Sequence, residues 1–132
     1  MKGIIVMDAF PSINEILEIL DEIAEEIPRE FFRRLNKGII LLPNYKLHKN
    51  SKDPHKLYVM GEYSSDITGR QIRIYYGSLK KVYRDIPLDV LKVKLSDVLL
   101  HEFTHHLESL AGENHLEIKD ATALAKYMEN NL

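Results

Sequence analysis

Between Pro87 and Gly112 the chain contains neither proline nor glycine, and its large apolar residues recur at a spacing that suits one long helix. Turning about 100° per residue from His101, the positions Leu91, Leu95, Leu99, Leu100, Phe103, Leu107 and Leu110 fall on one broad arc. A stripe of that width must be buried, so the rest of the fold has to be built against it. The pattern predicts a helix entered at Asp85-Ile86-Pro87, running to about Ala111 and stopped by Gly112.

The opposite face carries His101-Glu102-Phe103-Thr104-His105, an HExxH sequence. Histidines four residues apart lie one above the other on a helix, so both imidazoles can reach one metal ion. Asp97 and Thr104 flank them, on a face where burial gives no reason for histidine. A chance meeting of two surface histidines and a glutamate would produce the same letters, but the helical context and the choice of face weigh against it. Glu102 falls at the border of the two faces. From there it can deprotonate a water on the ion without ligating the ion itself, which is the general-base role of this motif. The expected site is therefore Zn2+ held by His101 and His105, with Glu102 as the catalytic base. His106 sits about 140° round the helix from His101, inside the apolar arc, and is expected to be a core residue and no ligand.

A catalytic zinc takes three protein ligands and keeps one position open. The chain has no cysteine, so the third ligand must be histidine or carboxylate. Gly112 permits a reversal of the chain, and His115 follows it three residues later. In the pattern HExxHxxGxxH the glycine comes three residues after the second histidine, whereas Gly112 comes seven after His105. That moves the turn about 6 Å farther along the axis, at 1.5 Å per residue. His115 is the first candidate, and Glu117 and Asp120, on one face of a last helix, stay open beside it. Glu108 shares the metal face but lies about 4.5 Å beyond His105, a poorer position.

The remaining segments predict a single α+β domain over residues 1–132. A small mixed or antiparallel sheet would pack against the HExxH helix, with helices at the N-terminal and C-terminal ends. Ser12 and Glu15 form a capping box for an amphipathic helix to about Glu26 with Ile13, Ile16, Leu17, Leu20, Ile23 and Ile27 as its apolar positions. A short helix follows Pro28 through Leu35, and Ile39 to Leu42 fits a buried strand. Asn44 to Lys56, with Lys46, His48, Lys49, Lys52, His55 and Lys56, reads as a solvated loop. Leu57 to Tyr63 and Arg70 to Tyr76 are strand-like and form a hairpin across Ser64 to Gly69. Ile72, Ile74 and Tyr76 would share one face, Arg73 and Tyr75 the other, and Gly77 would end the strand. A short helix over Ser78 to Arg84 and a last helix from Leu116 to Leu132 complete the reading. Tyr75, Tyr76 and Tyr83 are candidate oxyanion donors, although core packing is the commoner role for tyrosine.

The charge is nearly balanced, net −2 from 18 basic and 20 acidic residues, so no global field points to nucleic acid or to an anionic membrane. The start from Met1 to Asp8 is too brief for a signal peptide or a spanning helix, and a cytoplasmic protein is the expectation.

With Leu99-Leu100-His101-Glu102-Phe103-Thr104-His105-His106 in view, the chain resembles the small bacterial zincin-like metallopeptidases, the minimal zincins. The likeness extends to the amphipathic first helix, the Pro28-Arg29-Glu30-Phe31 segment and the Tyr-x-Gly-like step within Ile74 to Leu79, and covers roughly residues 10–120. It implies an α+β fold, zinc held by the HExxH histidines and hydrolysis of a peptide or protein substrate. Family members usually carry glycine shortly after the doubled histidine and an acidic residue three positions later. Here Glu108-Ser109-Leu110-Ala111 intervenes before Gly112, and His115 stands where the acid would be.

Two other classes compete. Small single-zinc endoribonucleases of rRNA maturation also pair a compact α+β fold with a histidine-rich helix, but they resemble HGxxH where this chain has HExxH. A non-catalytic, metal-stabilised binding module would use the same histidines in a closed site.

Overall fold

The structure is a computed structural model and describes residues 9–112 and 126–127. In chain order its elements are α1 (Ile13–Glu26), a 3-10 turn (Arg29–Phe32), β1 (Ile39–Leu42), β2 (Lys46–Leu47), β3 (Tyr58–Val59), β4 (Gly61–Asp66), β5 (Gly69–Tyr75), α2 (Tyr76–Tyr83) and α3 (Leu88–Gly112). This is an α+β arrangement, as the hydropathy pattern predicts. Among the described residues no helix is long and apolar enough to cross a membrane.

The start of α1 follows from its capping box. The Ser12 hydroxyl accepts from the Glu15 amide at 3.2 Å, and Glu15 Oε1 accepts from the Ser12 amide at 2.9 Å. Ile16, Ile19 and Leu20 are buried, but Leu17, expected inside, is 45% exposed. The helical projection explains the exchange. Leu17 points about 90° from the mean direction of Ile16, Leu20 and Ile23, and Ile19 only about 70°.

The main sheet has the order β1-β5-β4, so of the two predicted alternatives it is the mixed one. β5 runs parallel to β1, with Ile39 opposite Ile72 and Leu42 opposite Tyr75. It runs antiparallel to β4, with Gly61 opposite Ile74, Tyr63 opposite Ile72 and Asp66 opposite Gly69. A second, two-stranded pair joins β2 to β3. The expected hairpin is present, but Ser64, Ser65 and Asp66 belong to its first strand, and only Ile67 and Thr68 lie between the strands. Residues of low strand propensity are held there because each has a partner in β5. β1 is half-buried along its length, as befits an edge strand, rather than the buried strand its apolar run predicts. The polar segment expected as a loop supplies β2.

The largest departure comes at the end of β5. Tyr76 is the first residue of α2, not the last of the strand, and Gly77 lies within that helix. The Gly77 amide donates to the Asn44 carbonyl at 3.0 Å. A Cβ on Gly77 would stand 2.5 Å from the Tyr45 nitrogen and 2.6 Å from the Asn44 carbonyl carbon. This glycine therefore marks a close backbone approach rather than a strand end. The Tyr76 hydroxyl donates to the Pro11 carbonyl at 2.6 Å and ties α2 to the approach of α1.

All seven residues of the predicted apolar arc, Leu91, Leu95, Leu99, Leu100, Phe103, Leu107 and Leu110, are buried along α3. They form one cluster with Ile16 and Leu20 of α1, Phe31 of the 3-10 turn, and Ile72 and Ile74 of β5. His106 is fully buried among them, as its position in the arc requires. Its Nε2 faces the Arg33 carbonyl at 2.7 Å and must donate to it, which leaves Nδ1 to accept from the Tyr63 hydroxyl at 2.9 Å. One ring thus joins α3, β4 and the segment after the 3-10 turn, with Arg34, next to the accepting carbonyl, held at φ 63°. Burial holds His106 below the usual histidine range, against the opposing pull of the bond to Arg33. α3 is described through Gly112, so the predicted stop and the loop after it, with His115, Glu117 and Asp120, lie outside the described residues. Of the expected C-terminal helix, Lys126 and Tyr127 are described as helical. Tyr127 sets its ring edge against Phe31, with the centroids 5.9 Å apart.

Candidate metal centre

On α3 the two motif histidines are exposed, whereas Glu102 between them is buried at 5% exposure. Their rings meet edge to face with centroids 4.6 Å apart, and their Nε2 atoms are separated by 3.1 Å. At that distance two neutral rings can share one N–H···N hydrogen bond. It is also close to the spacing of two nitrogens on one zinc, since tetrahedral coordination at 2.0–2.1 Å separates its ligand atoms by about 3.3 Å. These two nitrogens therefore fit the ion in type and in spacing. His105 turns its other nitrogen, Nδ1, toward Glu108 Oε1 at 3.4 Å. Glu108, a poor ligand by its place along the helix, instead stands where a carboxylate can orient a ligating imidazole.

Glu102 owes its seat to β4. A Cβ on Gly61 would lie 3.1 Å from Glu102 Cγ, 3.2 Å from Oε2 and 3.1 Å from Val98 Cγ1. The carboxylate packs against bare backbone at the first residue of the strand. This is why a side chain expected at the border of the helix faces is buried. Burial, the strongest influence on Glu102, raises its pKa above the carboxylate range, while the His101 and His105 rings pull it down and Glu62 adds to the rise.

Glu62, the next residue of β4, is perturbed in the other direction. Burial alone would raise its pKa, but the bonds from the Lys46 ammonium and the Tyr75 hydroxyl together outweigh it and hold the carboxyl below its usual range. Tyr75 donates to Glu62 Oε1 at 2.6 Å, and Arg73 approaches the same oxygen at 3.5 Å. The site thus has two carboxylates of opposite character: Glu62 held as an anion among cations, and Glu102 with its proton affinity raised by burial.

An open cleft of about 780 Å3 runs over these groups, and His48, Glu62, Tyr63, Glu108 and Ser109 share its walls with the motif residues. β4, which forms one side, is an edge strand of the sheet among the described residues. A larger cavity, about 960 Å3, lies between α1 and the α2–α3 link and is lined by none of the motif residues.

The structure brings His101, Glu102 and His105 together as the helical spacing predicts. The three candidates for the remaining ligand, His115, Glu117 and Asp120, lie outside the described residues. Among the described residues no group of three or more His, Cys, Asp or Glu side chains is arranged to hold a metal. The three candidate oxyanion tyrosines do not line the cleft: Tyr75 is bonded to Glu62, Tyr76 to Pro11, and Tyr83 lies outside its walls. Sequence reasoning misses Gly61 and His48. A glycine inside a strand pattern is a recognised sign of close approach and could have pointed to Gly61. His48 carries no comparable sign.

A solved structure of a conserved hypothetical protein from Thermus thermophilus is similar to this chain, with a TM-score of 0.64 and 28% sequence identity over 77% of this chain and 99% of that one. No protein-family model matches the chain, and no curated protein matches it. The likeness is one of fold at modest identity and brings no activity with it.

Proposed function

We propose that this protein is a zinc-dependent peptidase in which His101 and His105 hold Zn2+ and Glu102 is the general base. The observation that carries the reading is the pairing of two exposed imidazoles, Nε2 to Nε2 at 3.1 Å, beside the buried carboxylate of Glu102. The third ligand is assigned to His115, with Glu117 and Asp120 as the alternatives. When bound, the ion supplies a Lewis acid that acidifies a water and polarises a carbonyl.

Glu102 takes the proton from the attacking water and delivers it to the leaving amine, a task suited to a carboxyl kept from full solvation. The bare backbone of Gly61 leaves room for that carboxyl to lie against β4, beside the histidines. A peptide or protein substrate binds extended along the edge of β4 that no strand among the described residues pairs, where edge-strand backbone groups offer hydrogen bonds to another chain. Glu62, tied to Lys46, Arg73 and Tyr75, is a fixed charge on that wall and takes no proton in the cycle.

The test is the Glu102→Gln variant. It should retain one zinc per chain by elemental analysis while hydrolysis of a labelled protein substrate falls by about 1,000-fold or more, within the range for loss of a general base. A His101→Ala, His105→Ala double variant should lose the metal. Turnover retained in the glutamine variant would refute the assignment of the base. A hydroxamate that binds only in the presence of zinc would reveal an open coordination position and separate the peptidase from a closed structural site.

A further inference from the structure

We propose that His48 supplies the cleft with an Nε2–H hydrogen-bond donor for the carbonyl oxygen of a bound peptide, and that it is not a metal ligand; the carbonyl role rests on the peptidase reading above. His48 shares the walls of the cleft with His101, Glu102 and His105. It stands just past β2, in the segment whose polar composition predicts a solvated loop.

The backbone fixes which nitrogen carries the proton. The Asn50 amide donates to His48 Nδ1 at 3.0 Å, so Nδ1 must present a lone pair and the proton of the neutral ring resides on Nε2. Nε2 in that tautomer has no lone pair to offer an ion. Ligation through Nε2 would require the proton to move to Nδ1, against the Asn50 N–H.

The backbone that carries the exposed ring is held as well. The His48 amide donates to the Leu57 carbonyl at 2.8 Å, the Ser51 amide to the His48 carbonyl at 2.9 Å, and the Leu57 amide to the Ser51 hydroxyl at 2.9 Å. These bonds close the segment on itself at the end of the β2–β3 pair. A preorganised donor on the wall of a hydrolytic cleft is the arrangement that stabilises charge developing on a carbonyl oxygen. Tyr75 and Tyr76 are bonded elsewhere, and Tyr63, which does line the cleft, gives its hydroxyl proton to His106.

The test uses the full chain labelled with 15N-histidine. A long-range 1H–15N correlation spectrum should show His48 with an unprotonated Nδ1 and a protonated Nε2. One equivalent of zinc chloride should shift the His101 and His105 nitrogens and leave that pattern intact. A proton on Nδ1, or His48 nitrogens that move to metal-bound positions, would overturn the assignment.

On the zinc-loaded protein His48→Ala should lower kcat by about 100-fold, the scale for loss of one oxyanion donor, with zinc stoichiometry and KM unchanged. His48→Gln, which keeps an N–H donor, should recover part of the loss. An alanine variant with unaltered kcat would refute the role. A chain that takes up no zinc would defeat the peptidase reading, and if the His48 tautomer persisted it would leave a donor with no reaction to serve, which would overturn the carbonyl role separately.

Discussion

His106 offers the sharpest test of how the fold holds the candidate site, because a single ring joins three segments. In His106→Phe the ring volume is roughly kept, while the Arg33 carbonyl loses its donor and the Tyr63 hydroxyl its acceptor. Both partners are only half-buried, so each lost bond costs about 0.5–1.5 kcal/mol, and the variant should lose about 1–3 kcal/mol of stability. For a chain of this length that corresponds to a fall in Tm of about 3–12 °C, read by circular dichroism. The reasoning has a second, independent consequence. Tyr63→Phe should be costly in the native background and nearly neutral beside His106→Phe, a coupling of about 1 kcal/mol in a double-mutant cycle. It also has a pH signature. Because burial holds the folded pKa of His106 below its ordinary 6.5, the unfolded chain binds a proton near that value and the folded one does not. The contribution of His106 is therefore complete above pH 6.5 and is lost as pH falls from there through the lower folded value, a slope that His106→Phe should abolish. A phenylalanine variant melting within about 2 °C of the native protein, a shift below about 1 kcal/mol, or additive effects at positions 63 and 106, would refute the account.

Two further predictions concern β4. Gly61→Ala places a methyl group 3.1 Å from Glu102 Cγ, so the carboxylate must give by a few tenths of an ångström. Zinc content should persist while hydrolysis falls by about 10-fold, as misplacement of a reacting group implies, and an unchanged rate would show that the glutamate does not depend on this glycine. For Glu62, whose carboxyl is held below its ordinary 4.5, stability is present above that pH and lost as pH falls through the lower folded value. Urea titrations between neutral and acidic pH should show this slope in the native protein and a weaker one in Glu62→Gln; equal slopes would mean that the bonds to Lys46 and Tyr75 do not persist in solution.

The parts of the fold that can be read from the sequence are those governed by local geometry. The apolar arc of α3 and the separation of His106 from His101 and His105 follow from the angle per residue alone, and the structure buries and exposes each of these residues accordingly. The capping box of α1 is equally local, four residues closing two hydrogen bonds. Where local pattern is only approximate, a partner distant in sequence makes the difference. Ser64, Ser65 and Asp66 have weak strand propensity, and only their pairing to Gly69, Arg70 and Gln71 extends β4 through them. Gly77 resembles a strand stop until the backbone of Asn44 and Tyr45 is seen against it.

The same division runs through the candidate site and separates its two kinds of functional group. Ligands on one helix turn announce themselves, because the constraint that brings two imidazoles to one ion is the helical repeat itself. The groups that set the surroundings of the motif residues come from elsewhere in the chain. Glu102 is buried against the bare backbone of Gly61, forty-one residues earlier, and Glu62 keeps its charge through Lys46 and Tyr75. His48 lies in a polar segment with five other basic or imidazole side chains, and nothing in its neighbours distinguishes it. What distinguishes it is a tautomer set by one backbone amide and a place on the cleft wall, in a segment anchored where β2 pairs with β3. A motif can therefore identify where an ion would sit while remaining silent on the donors that decide what the site does with a substrate.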